Sequence, residues 1–309
     1  MKLLPALAAA ATGIQVGAAM VATRFVIDQS GPASLALWRY LIGFCCLVPF
    51  VVLSGASARF ERRDLLPIGL LGIAQFGVLI ALLNVGLRFI PSARAALIFA
   101  TFPLLTMIVA AALGQERLTG AKTLGVLLTI AGVGLTLGDK LSRPAPHPGA
   151  ACLGELAVLA SAITGAVCSV LYRPYLRRYS TLPVSAFAML ASVAFLAVLA
   201  APEGFFSERP RFTALGWLAV VFIGVGSGVG YYLWLWALNH APATDVTVFL
   251  ALSPMTAAWL GAWLLAEPLS ALSLAGLATV ALGLWLGHRP LSKRPAQAPT
   301  GAKLGGATK

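Results

Sequence analysis

The chain has 309 residues, of which 59% are hydrophobic and 10% are charged, and its mean hydropathy is +0.90. Because water-soluble domains carry about 25% charged residues, this composition excludes a soluble fold and predicts an integral membrane protein. The formal net charge of +12 does not indicate a nucleic-acid partner, since no basic stripe in the sequence is interleaved with aromatic residues.

Loop signals divide the chain into ten apolar segments, each long enough to cross a hydrocarbon core of roughly 30 Å as a helix. The segments lack the alternation that is typical of a membrane β-barrel. In chain order the predicted spans are 3–27, 33–54, 65–87, 92–113, 120–138, 150–172, 184–201, 214–238, 243–265 and 270–288.

The second half of the chain repeats the first, shifted by 151 residues without a gap. The matching pairs include Pro32/Pro183, Pro91/Pro242, Pro103/Pro254, Glu116/Glu267, Gly125/Gly276 and Gly132/Gly283. Because each repeat holds an odd number of spans, the second repeat enters the membrane from the opposite side. We therefore predict an all-α integral membrane protein with ten transmembrane helices arranged as two inverted five-helix repeats.

The repeat also sets the predicted domain limits. The first five-helix repeat occupies residues 1–138 and the second occupies residues 150–288. A proline-rich linker, residues 139–149, joins them, and residues 289–309 are predicted to form a disordered, basic cytoplasmic tail.

The first span and the charge distribution predict the topology. Residues 3–27 align by the same shift with internal residues 154–178, so we expect a retained first helix and not a cleaved signal peptide. Lys and Arg are more numerous in the segments that would face the cytoplasm if both termini did. This bias predicts that both termini are cytoplasmic.

Three predicted spans, the first, the sixth and the eighth, each carry polar side chains on one helical face. These residues are Thr12, Gln15 and Thr23, then Ser161, Thr164, Cys168 and Tyr172, then Ser227, Tyr231 and Trp234. Such faces indicate either hydrogen bonds between helices or the lining of a cavity. Our candidates for substrate binding are Gln15, Tyr172, Tyr231 and Trp234.

The third span adds a further candidate, Gln75. Asn84 lies nine residues later, which places it almost opposite Gln75 on a regular α-helix. We therefore expect that only one of these two side chains faces a pocket, and we select Gln75 because it lies nearer the middle of the span.

Arg39 is a cation about 10 Å along the second span, at 1.5 Å per residue from Pro32. A charge at that depth faces the bundle interior or a water-filled cavity, or it extends outward to the membrane surface. Arg39 is a candidate to attract a substrate carboxylate. The alternative is a structural role in which it pairs with Asp28.

Carboxylates near span ends have two interpretations. Glu116 and Glu267 lie just before the fifth and tenth spans, where a carboxylate can cap the helix start. Glu155 opens the sixth span, where it could cap in the same way. It is also the first candidate for proton coupling, because few other carboxylates reach the membrane interior.

Two equivalent prolines, Pro103 and Pro254, lie inside the fourth and ninth predicted spans. Each removes a backbone hydrogen bond and frees a carbonyl group. The two alternatives are a packing kink and a functional hinge, and we take both residues as candidate hinges.

No cofactor or metal site is expected from the sequence. The four cysteines, Cys45, Cys46, Cys152 and Cys168, form no CxxC pair. A Walker A motif is also absent from the sequence, so ATP is not expected as the direct source of energy.

Several motifs resemble those of the EamA-type transporters of the drug/metabolite transporter superfamily. Two blocks carry most of the similarity: Pro103 through Glu116-Arg117-Leu118, and Pro254 through Glu267-Pro268-Leu269. Each is followed by the glycines of the next span, and Trp38-Arg39 and Gly154-Glu155 fit the same pattern. The similarity extends over about residues 3–288. One departure is Val16-Gly17, at a position where the family usually has Trp-Gly.

The resemblance implies a ten-helix transporter that exports or exchanges small metabolites, often amino acids and sometimes drug-like compounds. We therefore predict a secondary transporter in the bacterial inner membrane that works by alternating access and is open to proton coupling. Its expected partners are a small solute, protons and the lipid bilayer, in a monomer or homodimer. The alternative is a membrane-embedded enzyme or carrier acting on lipid-linked substrates, which would need a cluster of catalytic side chains.

Overall fold

The computed structural model describes residues 3–55, 60–90, 95, 98–99, 101–116, 119–141, 148–207, 212–265 and 271–287. Within these ranges the chain is helical, and no described residue belongs to a β-strand. The described ends of the predicted linker are helical as well. The predicted tail and Glu267 lie outside the described residues.

The helices are numbered in chain order. They are α1 (Leu3–Val26), α2 (Pro32–Ser54), α3 (Arg62–Gly72), α4 (Leu79–Phe89), α5 (Phe102–Ala112), α6 (Gly120–Leu141), α7 (Pro148–Leu171), α8 (Arg173–Arg178), α9 (Thr181–Ala200), α10 (Ala214–His240), α11 (Ala243–Thr247), α12 (Leu252–Leu265) and α13 (Ala271–Gly287). A π-helical segment, Ile73–Val78, joins α3 to α4.

Six helical stretches of the described chain are long and apolar enough to cross a membrane. They are Leu3–Gln29, Pro32–Ser54, Arg62–Phe89, Cys152–Arg178, Thr181–Glu203 and Ala214–His240. Shorter apolar helices occupy Phe102–Ala112, Gly120–Gly132 and Ala243–Ala257, so the count of ten complete spans stays a prediction. Large apolar side chains are exposed on the bundle surface, for example Leu53 at 83% and Val198 at 76%. A surface of this kind suits the hydrocarbon of a bilayer.

The helices α6 and α13 pack against each other through glycines. A Cβ atom added to Gly132 would lie 2.7 Å from the carbonyl oxygen of Gly276, and one added to Gly283 would lie 2.7 Å from that of Gly125. Because Gly276 and Gly283 are the repeat equivalents of Gly125 and Gly132, both halves make the same contact. Gly132 of α6 contacts Gly276 of α13, and Gly125 of α6 contacts Gly283 of α13, so higher numbers in one helix pair with lower numbers in the other. The two helices are therefore antiparallel.

Other helix pairs also join the two halves of the sequence. The Thr12 hydroxyl of α1 donates to the carbonyl oxygen of Gly230 in α10 at 3.2 Å. The Ser161 hydroxyl of α7 donates to the carbonyl oxygen of Leu79 in α4 at 2.9 Å. Since α7 corresponds to α1 and α10 to the stretch containing α4, these contacts connect equivalent pairs of spans.

Carboxylates from one half bind the helix starts of the other half. The Glu203 carboxylate accepts hydrogen bonds from the backbone N–H groups of Ala33 at 3.1 Å and Ser34 at 2.7 Å, in the first turn of α2. Glu116 accepts one from the N–H of Thr244 in α11 at 3.3 Å. Glu116 therefore binds a helix start in the opposite repeat, whereas the sequence led us to expect the next helix of its own repeat.

Pro103 does not lie inside a continuous helix, contrary to the expectation from the sequence, whereas Pro254 lies inside the helical stretch Ala243–Ala257, as expected. Pro103 is the second residue of α5 and follows a turn at Thr101. Pro254 is the third residue of α12 and follows the 3-10 segment Val248–Ala251. A proline in the first helical turn removes no hydrogen bond that the helix needs, so Pro103 begins a helical segment after a turn. At Pro254 the helix continues and only its type changes, from 3-10 to α.

Candidate solute cavity

A cavity of about 90 Å³ lies inside the helical bundle, large enough for several water molecules. It is lined by α1, α2, the stretch from Gln75 to Leu87, Phe99, α5, α10 and Leu250. The residues with polar groups in the lining are Thr12, Gln15, Thr23, Arg39, Tyr40, Gln75, Asn84, Ser227, Tyr231 and Trp234. The lining therefore draws on both halves of the sequence.

Five of the six candidate substrate-binding residues line this one cavity. They are Gln15, Arg39, Gln75, Tyr231 and Trp234. Tyr172, the sixth, is fully buried beside Tyr231 and is not among the residues that line the cavity.

Glycines of α10 make room for the Gln15 side chain. A Cβ atom on Gly230 would lie 2.8 Å from Oε1 of Gln15, and one on Gly226 would lie 3.0 Å from its Nε2. The amide therefore lies directly on the backbone of α10. Its Nε2 atom is buried and has no hydrogen-bond partner among the described residues.

Arg39 reaches the cavity from α2 and contacts α10. Its Nε donates a hydrogen bond to the Ser227 hydroxyl at 2.5 Å, and its guanidinium carbon lies 5.5 Å from the centre of the Tyr40 ring. No described carboxylate lies within 4.0 Å of Arg39. The alternative pairing of Arg39 with Asp28 is therefore wrong.

Gln75 and Asn84 both line the cavity, which corrects the expectation that only one of them could. The reason is the π-helical segment Ile73–Val78, which starts just before Gln75. A π-helix bonds residue i to i+5 and has more residues per turn than an α-helix, so it rotates the later residues relative to a regular helix. Asn84 is nevertheless engaged, because its Nδ2 donates to the carbonyl oxygen of Pro32 at 3.0 Å.

Three further aromatic residues, Tyr40, Phe76 and Phe102, complete the cavity wall, and none of them was a candidate from the sequence. The Phe76 ring lies 4.9 Å from Tyr40 and 3.7 Å from Tyr231, and Phe102 lies 6.3 Å from Trp234, between ring centres. In spans that are apolar on every side, an aromatic residue carries no signal of its own. Only the position of Tyr40 next to Arg39 could have drawn attention to it.

The polar face of the sixth predicted span connects helices and does not line the cavity. Besides the Ser161 bond to α4, the Cys168 thiol contacts the carbonyl oxygen of Leu71 in α3 at 4.0 Å. Thr164 donates to Ala160 within its own helix at 2.8 Å. This face therefore follows the first of the two alternatives derived from the sequence.

A network of ion pairs joins the two halves at one end of the bundle. Lys122 Nζ lies 3.1 Å from Glu116 Oε2 and 2.9 Å from Asp245 Oδ1. Arg173 Nη1 lies 3.9 Å from Glu116 Oε1. The side chains of Glu116, Asp245, Arg173 and Lys122 are only 7%, 14%, 14% and 21% exposed. We call these four residues the inter-repeat ion network.

The cavity extends away from this network. Added Cβ atoms on Gly13 and Gly17 of α1 would contact Phe249 and Ser253, respectively, so α1 runs parallel to the chain that follows Asp245. The network therefore lies at the end where α1 begins. The lining residues of α1, from Thr12 to Thr23, belong to its middle and its opposite end.

Glu155 lies outside the cavity lining. It is the eighth residue of α7, which begins at Pro148, and it is half-buried. Because free N–H groups occur only in the first turn of a helix, Glu155 does not cap α7 as the sequence suggested.

Comparison with known proteins identifies the class. A family model described as the EamA-like transporter family matches residues 3–138 and 152–287. The chain belongs to the EamA-like transporter family. It is therefore a multi-pass membrane transporter with a small-molecule solute, and not an enzyme, which removes the enzyme alternative.

Relatives and a solved structure agree with this assignment. An uncharacterized transporter of Archaeoglobus fulgidus is 27% identical over 272 residues, covering 87% of this chain and 93% of the relative. A probable terminal-alkyne amino-acid exporter of Streptantibioticus cattleyicolor is 29% identical over 293 residues, covering 94% and 95%. A crystal structure with 23% identity has a TM-score of 0.78 and covers 94% of this chain and 98% of that one, which shows a shared fold.

Proposed function

We propose that this transporter exports or exchanges small metabolites, amino acids or amphipathic compounds, by alternating access. The observation that carries the proposal is a largely apolar cavity that is lined from both halves and carries a few polar groups, among them Arg39, Gln15 and Gln75. The inter-repeat ion network lies at one end of the bundle, and we propose that it closes this end. In alternating access, one half moves against the other around a central site. Breaking the network would open the closed end.

The comparison with the Streptantibioticus cattleyicolor protein supports the direction and the solute class. That relative is named a probable exporter of an amino acid, and the similarity extends over 94% of this chain. The cavity of this chain carries groups that can hold such a solute: Arg39 for a carboxylate, and Gln15 and Gln75 for further hydrogen bonds.

The proposed orientation places both termini in the cytoplasm of a bacterial cell, in the inner membrane. The ion network, which lies at the end where α1 begins, then closes the cytoplasmic side. The turn before Pro103 and the 3-10 segment before Pro254 are the proposed hinges, because the regular α-helical hydrogen bonding is interrupted at both places.

Proton coupling, if the cycle uses it, is proposed to involve Glu155. Of the carboxylates that the structure describes, Glu155 lies furthest within a long apolar helix. A Glu155→Gln variant removes the titratable group and keeps the shape of the side chain. We expect its flux to lose the response to a pH gradient, and an unchanged response would remove Glu155 from the coupling.

Reconstitution in liposomes tests the proposed function. Purified protein should accelerate the exchange of labelled amino acids or amphipathic carboxylates across the bilayer, with a rate that saturates with solute concentration. Protein-free liposomes provide the background rate. If no amino acid or amphipathic metabolite moves faster than this background, with or without a pH gradient, the proposed function is wrong.

A further inference from the structure

The charge inside the cavity is of one sign. Among the described residues that line it, Arg39 is charged and there is no aspartate or glutamate. Within this described lining, a solute therefore meets one fixed positive charge and no fixed negative charge.

The guanidinium of Arg39 has bonding capacity left for a solute. Arginine has five N–H donors in a planar fork, and the described residues accept only from Nε, through Ser227. The Ser227 contact and the Tyr40 ring hold the group in place. The two terminal NH₂ groups make no hydrogen bond to a described residue, and this pair of donors matches the two oxygens of a carboxylate.

Further polar atoms in the lining lack partners. Gln75 Oε1 and Trp234 Nε1, like Gln15 Nε2, are buried without a hydrogen-bond partner among the described residues. Leaving such groups unpaired is costly, so they are suited to binding water or a solute. These three unpartnered polar atoms suit a small solute that has a second polar group besides its carboxylate. The aromatic residues of the wall suit an apolar remainder of the solute.

We propose that the transported solute carries a single carboxylate that binds Arg39, attached to an uncharged apolar body, and that the cavity discriminates against net cations. This inference rests on the proposed function and adds the charge class of the solute. A carboxylate loses its hydration in the cavity and regains a charged partner in Arg39. A cation loses hydration, is repelled by Arg39 and finds no carboxylate in the described lining.

A zwitterionic amino acid with an uncharged side chain also carries the single carboxylate that the proposal requires. Its carboxylate binds Arg39, and its ammonium is neutralised within the solute itself. The ammonium can also lie against the ring faces of Tyr40, Phe76 or Tyr231, since aromatic faces attract cations. The proposed preference therefore depends on whether a solute carries a carboxylate, and not on whether it carries an amino group.

The test uses two series of compounds that share a body and differ in charge. The aliphatic series is L-leucine, isocaproate and isoamylamine, and the aromatic series is L-phenylalanine, hydrocinnamate and phenethylamine. Binding to the purified full-length protein is measured by titration calorimetry. We expect the carboxylate-bearing members of at least one series to bind about tenfold or more tightly than the amine.

Variants of Arg39 link this preference to the residue. Arg39→Gln should weaken carboxylate binding about tenfold or more, and Arg39→Lys should restore part of it, because it keeps the charge and loses the fork. The matched control is Arg88→Gln, an exposed arginine whose Nη2 donates to the carbonyl oxygen of Ser30 at the edge of the bundle, at 3.3 Å. Thermal unfolding of each variant checks that it is folded.

Three results would overturn the inference: amines that bind as tightly as carboxylates, carboxylate affinity that Arg39→Gln leaves unchanged, or no carboxylate binding in either series. Flux measurements with the same compounds keep the two proposals apart. Carboxylate binding through Arg39 without flux would support the inference and contradict the transport function. Flux that does not depend on the presence of a carboxylate would support the transport function and contradict the inference.

Discussion

The ammonium of Lys122, in the first half of the chain, lies 2.9 Å from a carboxylate oxygen of Asp245, in the second half. The same ammonium lies 3.1 Å from Glu116, which also accepts a hydrogen bond from the backbone next to Asp245. One cation therefore connects the last part of the first repeat to a helix start of the second. These ion pairs can separate without unfolding a helix, as the proposed opening of this end requires.

Removing this contact should favour opening of the closed end. Lys122→Met removes the cation that bridges Glu116 and Asp245, which we expect to shift the ratio of closed to open states by about 5–30-fold, or ~1–2 kcal/mol. A thiol introduced in the cavity by Leu83→Cys, with the four native cysteines replaced by alanine, reports the change. Its reaction with a membrane-impermeant maleimide added on the side of the termini should become faster by that factor.

An exposed ion pair provides the control for the Lys122 variant. Glu61 and Arg63 form a contact of 2.6 Å, but their side chains are 52% and 69% exposed, so Glu61→Gln should leave the labelling rate unchanged. Equal labelling rates in Lys122→Met and in its parent would show that the ion network does not close this end.

The glycine contact between α6 and α13 should tolerate no added methyl group. In Gly132→Ala the new Cβ would meet the backbone of Gly276 and Val280 at 2.7 Å, so the two helices must move apart. We expect a loss of about 1–3 kcal/mol, typical of overpacked contacts, seen as a lower midpoint of thermal unfolding in detergent. The control is Gly120→Ala in the same helix, where an added Cβ meets nothing within 4 Å. Identical midpoints for the two variants would contradict the packing.

Ser227 should matter for solute affinity through Arg39. Its hydroxyl accepts the hydrogen bond from Arg39 Nε, so Ser227→Ala should release the guanidinium and weaken carboxylate binding about fivefold. Ser169→Ala is the matched control, because Ser169 is fully buried and donates only to Gly165 of its own helix, at 2.7 Å. If both variants bind carboxylates equally well, Ser227 does not position Arg39. Calorimetry with the compounds of the charge series gives the comparison.

Hydrophobic runs and helical periodicity account for the part of the site that could be predicted. The run lengths predict the long helices, and steps of three and four residues place Gln15, Tyr231 and Trp234 on inward faces. Arg39 was selected because it is a charge about 10 Å along the second span. These signals are local, and they succeed where the helix is regular.

The periodicity of the sequence could not predict irregular backbone or contacts between distant segments. A regular helix puts Gln75 and Asn84 on opposite faces, and only the π-helical segment brings them to one cavity. The N–H of Thr244 is bound by Glu116, which lies 128 residues earlier in the chain. No periodicity could indicate that partner, because it depends on how the two repeats pack.

The most direct test of the central claim, that the solute passes through this cavity, is to block the cavity during transport. In proteoliposomes containing the Leu83→Cys variant without native cysteines, we expect a bulky maleimide to stop the flux of the carboxylate that binds best. The same solute at saturating concentration should slow the modification. If flux continues at its original rate after the introduced thiol is fully modified, the solute does not pass through the cavity lined by Arg39 and Gln75.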